Sequence, residues 1–207
     1  MNAPTIMRSP EIERREEFAP LCNRMGLRGY AVEVGTERAE FASQFRAEWE
    51  GNLMLCIDPW KTGLDDYDEL QWERESDYAM ALQRLVKVSP PHKPVEVFRG
   101  TVEAALKCSR LRRKPDFVYL DGNHTYEHVV WEIEQFWNRM SPGGILAGHD
   151  YDLSHYPGVV RAVQEFSARE GVPVYITPLP VRYKSWYAYK EPPSLYDIVT
   201  PRDDPEE

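Results

Sequence analysis

The chain has 207 residues, 42% of them hydrophobic and 29% charged, with a formal net charge of −9. That is the composition of an ordinary globular protein, long enough for one domain with a sizeable core. Its acidity argues against a protein that grips a nucleic-acid backbone. No apolar run approaches the roughly 20 residues that cross a bilayer, and no secretory h-region opens the chain. A cytoplasmic protein with neither a membrane nor a nucleic-acid partner is expected. Cys22, Cys56 and Cys108 are widely spaced and odd in number, which predicts reduced thiols rather than a disulfide framework or a zinc site.

Residues 1–9 read as a loose tail, and Glu11 to Met25 as a charged helix covering one edge of a sheet. Tyr30 to Val34 is a first strand. It enters a tight turn at Glu33-Val34-Gly35-Thr36-Glu37, and a helix follows from Glu37 to Phe45. Leu53 to Ile57 is a second buried strand ending at Asp58-Pro59-Trp60, and the polar stretch from Lys61 to Asp68 is a loop. A long helix spans Glu69 to Val88, with Leu70, Tyr78, Ala81, Leu82 and Leu85 inward, and Ser89-Pro90-Pro91 stops it. Val95 to Phe98 is the third strand, followed by Gly100-Thr101 and a helix to Leu111.

Phe117 to Leu120 is a short apolar run of the kind a parallel sheet buries. Tyr126, Val129, Val130, Ile133, Phe136 and Trp137 then recur at helical spacing. Gly144 to Gly148 is the fifth strand, and Gly158 to Glu170 is helical. Val172 to Ile176 and Ser185 to Tyr189 close the pattern as two strands able to pair antiparallel. Strict alternation predicts an α/β fold, doubly wound around a mostly parallel seven-stranded sheet with an antiparallel strand near the C-terminus. The expected boundaries are 1–29 for an N-terminal tail and helix, 30–190 for the domain, and 191–207 for a tail rich in proline and acids.

Candidate chemistry lies where these strands end, because open α/β sheets bind ligands outside the carboxyl ends of their strands. Gly35 lets the backbone pass close to a ligand, but no G-x-G-x-x-G follows, so a dinucleotide pyrophosphate is poorly served. That weighs against a nicotinamide-dependent oxidoreductase. Asp58 can accept both hydroxyls of a ribose, or it can be a loop acid. Thr101 can touch a base, or it can cap the next helix.

Asp121 ends the fourth strand, and His149-Asp150 ends the fifth. Neighbouring strands lie about 4.8 Å apart, so these three side chains can share a divalent cation. The alternative is a packed histidine beside a capping acid. His124, on the same rim, is a candidate general base. Trp60, Tyr67, Trp72, Tyr151 and Tyr156 are candidate walls of a substrate pocket. Arg110, Arg112, Arg113 and Lys114 read as a solvated face at a helix end.

The stretches Asp121-Gly122-Asn123-His124-Thr125-Tyr126 and Gly143-Gly144-Ile145-Leu146-Ala147-Gly148-His149-Asp150-Tyr151 carry a resemblance. With them the chain resembles a class I S-adenosylmethionine-dependent methyltransferase of the small-molecule O-methyltransferase branch, over roughly residues 30–190. The resemblance implies a Rossmann-like methyltransferase fold. It implies that Glu33 and Gly35 line the methionine end of the cofactor, that Asp58 holds the ribose, and that Gly100 and Thr101 lie near the adenine. Asp121, His149 and Asp150 fall at the positions where related enzymes hold Mg²⁺, and Asp121 counts with the cofactor residues as well. His124 falls at a catalytic position. Two departures from the pattern are Ala39, where relatives often carry glycine, and His149, where they carry a metal carboxylate.

The expected function is therefore methyl transfer from S-adenosylmethionine to a hydroxyl of a small molecule, assisted by Mg²⁺ or another divalent ion. A metal-independent methyltransferase and a non-catalytic nucleotide-binding module are the alternatives. A sugar, a polyphenol and a polyketide-type hydroxyl all remain open as acceptor, and so does a homo-oligomer.

Overall fold

The structure is a computed structural model that describes residues 3–61, 74–179 and 183–190. Eight strands form one sheet: β1 (Thr5–Arg8), β2 (Tyr30–Val34), β3 (Leu53–Asp58), β4 (Val95–Arg99), β5 (Phe117–Leu120), β6 (Ile145–Gly148), β7 (Pro173–Ile176) and β8 (Trp186–Tyr189). Their order across the sheet is β1-β7-β8-β6-β5-β2-β3-β4. Only β8 runs antiparallel, to β6 on one side and β7 on the other. The helices are α1 (Phe18–Arg24), α2 (Glu40–Glu48), α3 (Arg74–Val88), α4 (Val102–Lys107), α5 (Tyr126–Trp137) and α6 (Pro157–Glu170). No described helix is long and apolar enough to cross a membrane, and the three cysteines are free thiols.

Both faces of the sheet are covered, which is why β2, β3, β5 and β6 read as near-continuous apolar runs rather than alternating ones. One face buries Val32, Leu55, Val118 and Leu146 with Ile133 and Phe136 of α5 and Val163 and Phe166 of α6. The other buries Phe117, Tyr119 and Tyr187 with Phe18 of α1 and Phe41 and Phe45 of α2. Phe41 stacks on Tyr119 at 3.9 Å and Phe45 on Phe117 at 4.6 Å between ring centroids. Such pairs are worth about 0.5–1.5 kcal/mol beyond their area burial.

Four expectations need correction. Residues 1–9 are not a loose tail: Thr5–Arg8 pairs parallel with β7 and makes an eighth strand where seven were expected. The backbone supplies the reason, since β7 would otherwise be an open edge, and Ser9 N also donates to Ile176 O. The segment from Glu11 to Met25 is a short 3₁₀ turn (Arg15–Glu17) followed by α1, and it lies over the middle of a face rather than along an edge. Phe18 draws it there, packing its ring against Phe41, Phe117, Tyr119 and Tyr187. Leu82 is 40% exposed rather than inward, because the buried stripe runs through Asp77, Ala81 and Leu85, with Asp77 receiving the Arg38 guanidinium at 2.7 Å. The helix after Thr101 ends at Lys107 rather than Leu111, and Ser109 turns the chain with a left-handed φ of 57°. The loop from Lys61 to Asp68 beyond its first residue, the start of the long helix with Leu70, and the 191–207 tail lie outside the described residues.

Candidate active site

Strand order reverses at β2. The chain builds outward through β3 and β4, then returns to place β5 and β6 on the other side of β2. The crevice at that reversal is the expected ligand site of a doubly wound sheet. Gly35 sits in it with φ +82°, and a Cβ there would meet Asp121 O at 2.0 Å. Only glycine lets the turn after β2 touch the end of β5. Backbone bonds lock the same corner, with Gly35 N donating to Ile57 O and Asp121 N to Val34 O.

Asp121 leaves β5, and His149 leaves β6 with its N–H donating to Leu120 O at 3.0 Å. Gly148 has to be small, since a Cβ would meet the Trp186 indole at 2.7 Å and Leu120 O at 2.8 Å. Asp150 adopts a left-handed φ of 57° and is buried. His124 comes from the turn before α5. The four side chains that the sequence places on this rim do meet.

His124 Nε2 lies 2.6 Å from Asp150 Oδ2 and 4.0 Å from Asp121 Oδ1. His149 Nδ1 lies 3.1 Å from Asp150 Oδ1 and 3.6 Å from Asp121 Oδ1. Acids and imidazoles thus alternate around a closed ring. Burial alone would lower both imidazoles, but the carboxylates of Asp121 and Asp150 override it and push His124 and His149 up to about 9. Burial would likewise raise both acids, and the imidazoles reverse that, holding Asp121 and Asp150 below the usual carboxylate range. At neutral pH the ring therefore carries two negative and two positive charges, and His124 is a proton donor in this state.

Asp121, His124 and Asp150 each offer one ligand atom, all within 4.8 Å of one another. The sequence expectation put His149 in that set and made His124 the base. In the structure His124 stands within ligating reach, and His149 flanks the set.

The cofactor candidates divide. Glu33 is buried. Burial, with Asp121 and Asp58 nearby, pushes its carboxyl up to about 8 against the opposing influence of Thr36, and its Oε2 has no hydrogen-bond partner among the described residues. Asp58 accepts from Glu37 N at 2.9 Å and Trp60 N at 2.7 Å. It therefore ties two turns together whatever else it binds, and burial raises its pKa against those two bonds. Gly100 N donates to Asp58 O, linking the ends of β3 and β4. Thr101 is an N-cap, its Oγ1 accepting from Ala104 N at 3.3 Å.

Trp60 is no pocket wall. It is 1% exposed, and its indole donates to Glu37 O at 2.7 Å. Tyr156 does border the ring of acids and imidazoles, 4.7 Å from His124 and 5.0 Å from Tyr183 between centroids. Tyr151 is half-buried, and Tyr67 and Trp72 lie outside the described residues.

Two residues were missed. Arg15, from the 3₁₀ turn, brings Nη1 within 3.6 Å of Asp121 Oδ2, and nothing in its charged segment signals that placement. Glu132 on α5 is 3% exposed and borders a small cavity with Gly122, His124, His149, Val159 and Trp186. An acid on the apolar stripe between Val129 and Ile133 was a legible signal.

The fold recurs in solved structures. Cofactor-bound Rv0187 from MTB superposes with a TM-score of 0.63 at 14% identity, covering 86% of this chain and 79% of that one. An O-methyltransferase from Bacillus cereus in complex with SAH gives 0.60 at 13% identity, covering 84% and 80%. The O-methyltransferase TomG from Streptomyces achromogenes, in complex with SAM, gives 0.56 at 17% identity, covering 84% and 78%. These likenesses are of fold. No curated protein matches the sequence significantly. The profile of the methyltransferase-domain family matches residues 32–151, more than half of the chain and the stretch from within β2 to the cluster after β6, and the chain belongs to that family.

Proposed function

We propose that the protein transfers a methyl group from S-adenosylmethionine to a hydroxyl of a small molecule, with a divalent cation held by Asp121, His124 and Asp150. The observation that carries this reading is the ring of two acids and two imidazoles beside the Gly35 turn at the sheet's reversal. The bound cofactors of the similar structures support the methyl donor. So does the buried, unpartnered Glu33 Oε2, which suits the ammonium of an amino-acid group. Asp58 retains lone pairs for ribose hydroxyls. At Thr101 the side chain is committed to its cap, so contact with the adenine falls to the main chain of Gly100 and Thr101.

Carboxylate and imidazole donors suit Mg²⁺ or Mn²⁺. Such an ion, when bound, lowers the pKa of the acceptor hydroxyl and orients it. His149, the imidazole outside the donor set, is the base for the hydroxyl proton once it has itself lost its proton, being held up to about 9 by the two acids. Positioning supplies most of the rate, on the order of 7–11 kcal/mol of barrier.

A metal-independent reading is favoured by one observation, the 2.6 Å pairing of His124 with Asp150. There His124 is the base, active once neutral. Methyl transfer to a panel of phenols and sugars, before and after exhaustive chelation, separates the two. Activity lost on chelation and restored by Mn²⁺ supports the first. Full activity after chelation, reduced about 10²–10⁴-fold by His124→Asn, supports the second. Failure to bind S-adenosylhomocysteine at all overturns both.

A further inference from the structure

Arg15 is a half-buried cation beside Asp121 with donors to spare. Its side chain is 20% exposed. Its Nη1 stands 3.6 Å from Asp121 Oδ2, too far for a hydrogen bond, and Asp121 already serves two imidazoles. Its Nε is buried with no hydrogen-bond partner among the described residues, with Glu16 Oε1 3.8 Å away. The Tyr119 hydroxyl lies within electrostatic reach of the guanidinium. Five N–H groups in a planar fork leave room for a bidentate carboxylate.

The charges point the same way. Arg15 adds a positive charge to a rim that also holds Glu33, whose Oε2 has no hydrogen-bond partner among the described residues, and Glu33 lies within electrostatic reach of the guanidinium. A cation and an acceptor side by side match the two charges of an α-amino acid.

We propose that Arg15 binds the α-carboxylate of the cofactor's amino-acid end, opposite Glu33, which receives its ammonium group. The inference rests on the S-adenosylmethionine reading above. It makes the 3₁₀ turn before α1 part of the cofactor site.

The test is a cycle of two proteins and two ligands measured by calorimetry. The ligands are S-adenosylhomocysteine and S-adenosyl-3-thiopropylamine, which lacks only the carboxylate. Wild type should prefer the first roughly 10- to 100-fold. In Arg15→Ala that preference should collapse, through loss of S-adenosylhomocysteine affinity alone, and Arg15→Lys should recover part of it. A preference that persists undiminished in Arg15→Ala overturns the inference while leaving the cofactor reading intact. Equal weakening of both ligands overturns it too, since Arg15 would then only support the turn. A wild-type protein that binds neither ligand overturns the cofactor reading, and the inference with it.

Discussion

Mn²⁺ titrated into the protein at pH 7 should displace protons. His124 is held up to about 9 by the two acids, so only about 1% of it is neutral two units below that value. Ligation by its Nε2 requires the neutral form, and reaching it at pH 7 costs about 2.7 kcal/mol. The cation's apparent affinity should therefore rise about tenfold per pH unit and level off near 9. His149, also at about 9, would face the new charge as an imidazolium. Where it too gives up its proton, release approaches two and the slope doubles.

The sign for stability is opposite. Both imidazoles have folded pKa values above their ordinary value of about 6.5, so their ion pairs stabilise the cation-free protein fully below that pH and lose this effect as pH rises through 9. Melting temperature without the cation should fall across the window in which cation affinity climbs. Calorimetry in buffers of differing ionisation enthalpy counts the protons. His124→Asn, titrated in parallel, should release fewer. Binding without proton release, at an affinity constant from about pH 6.5 to 8.5, would refute ligation by His124.

Glu132 is pushed up to about 8 by burial, so its contribution to stability declines as pH rises from about 4.5 through 8. Glu132→Gln should be the more stable protein at pH 8 by about 1–3 kcal/mol in urea denaturation, and lose that advantage toward pH 5. Thr101→Ala removes the cap of α4 and should cost about 1 kcal/mol of stability, recovered by Thr101→Ser. A matching fall in S-adenosylhomocysteine affinity would instead assign the side chain to the adenine. Asp58→Ala frees two turn N–H groups and should weaken S-adenosylhomocysteine binding roughly 10- to 100-fold. Unchanged affinity would leave Asp58 a purely structural acid.

The central strands were legible because burial on both faces leaves no choice of residue type: Phe117-Val118-Tyr119-Leu120 and Ile145-Leu146-Ala147 carry no polar position. Placing Asp121 and His149 at their ends followed directly. The outer strand β1 was not legible. Its Thr5-Ile6-Met7-Arg8 is largely exposed and is ordered by the open edge of β7, a partner far off in sequence. The donor set was half legible for a local reason. The left-handed backbone at Asp150 turns its carboxylate between the two imidazoles, and no spacing rule reveals that both imidazoles then face both acids. Asp77 shows the limit of apolar periodicity, since its burial depends on Arg38, 39 positions away in sequence.

The contact between Gly35 and Asp121 explains why the turn after β2 and the acid–imidazole ring belong to one unit. Parallel pairing of β2 with β5 sets Val34 opposite Leu120, so the turn that follows β2 and the acid that follows β5 emerge side by side. The left-handed Gly35 then closes the gap until the turn rests on the Asp121 main chain. Pairing of β5 with β6 sets Leu120 opposite Gly148 and fixes His149 and Asp150 in the same way. Three adjacent strand ends therefore determine the distances among all these groups. Catalysis by positioning demands that property, because a displacement of about 1 Å between donor and acceptor can cost 10²-fold in rate. Side chains carried on strand ends keep such distances better than side chains on long loops. In this chain the Gly35 turn and the four side chains of the ring lie within a residue or a few of β2, β5 or β6.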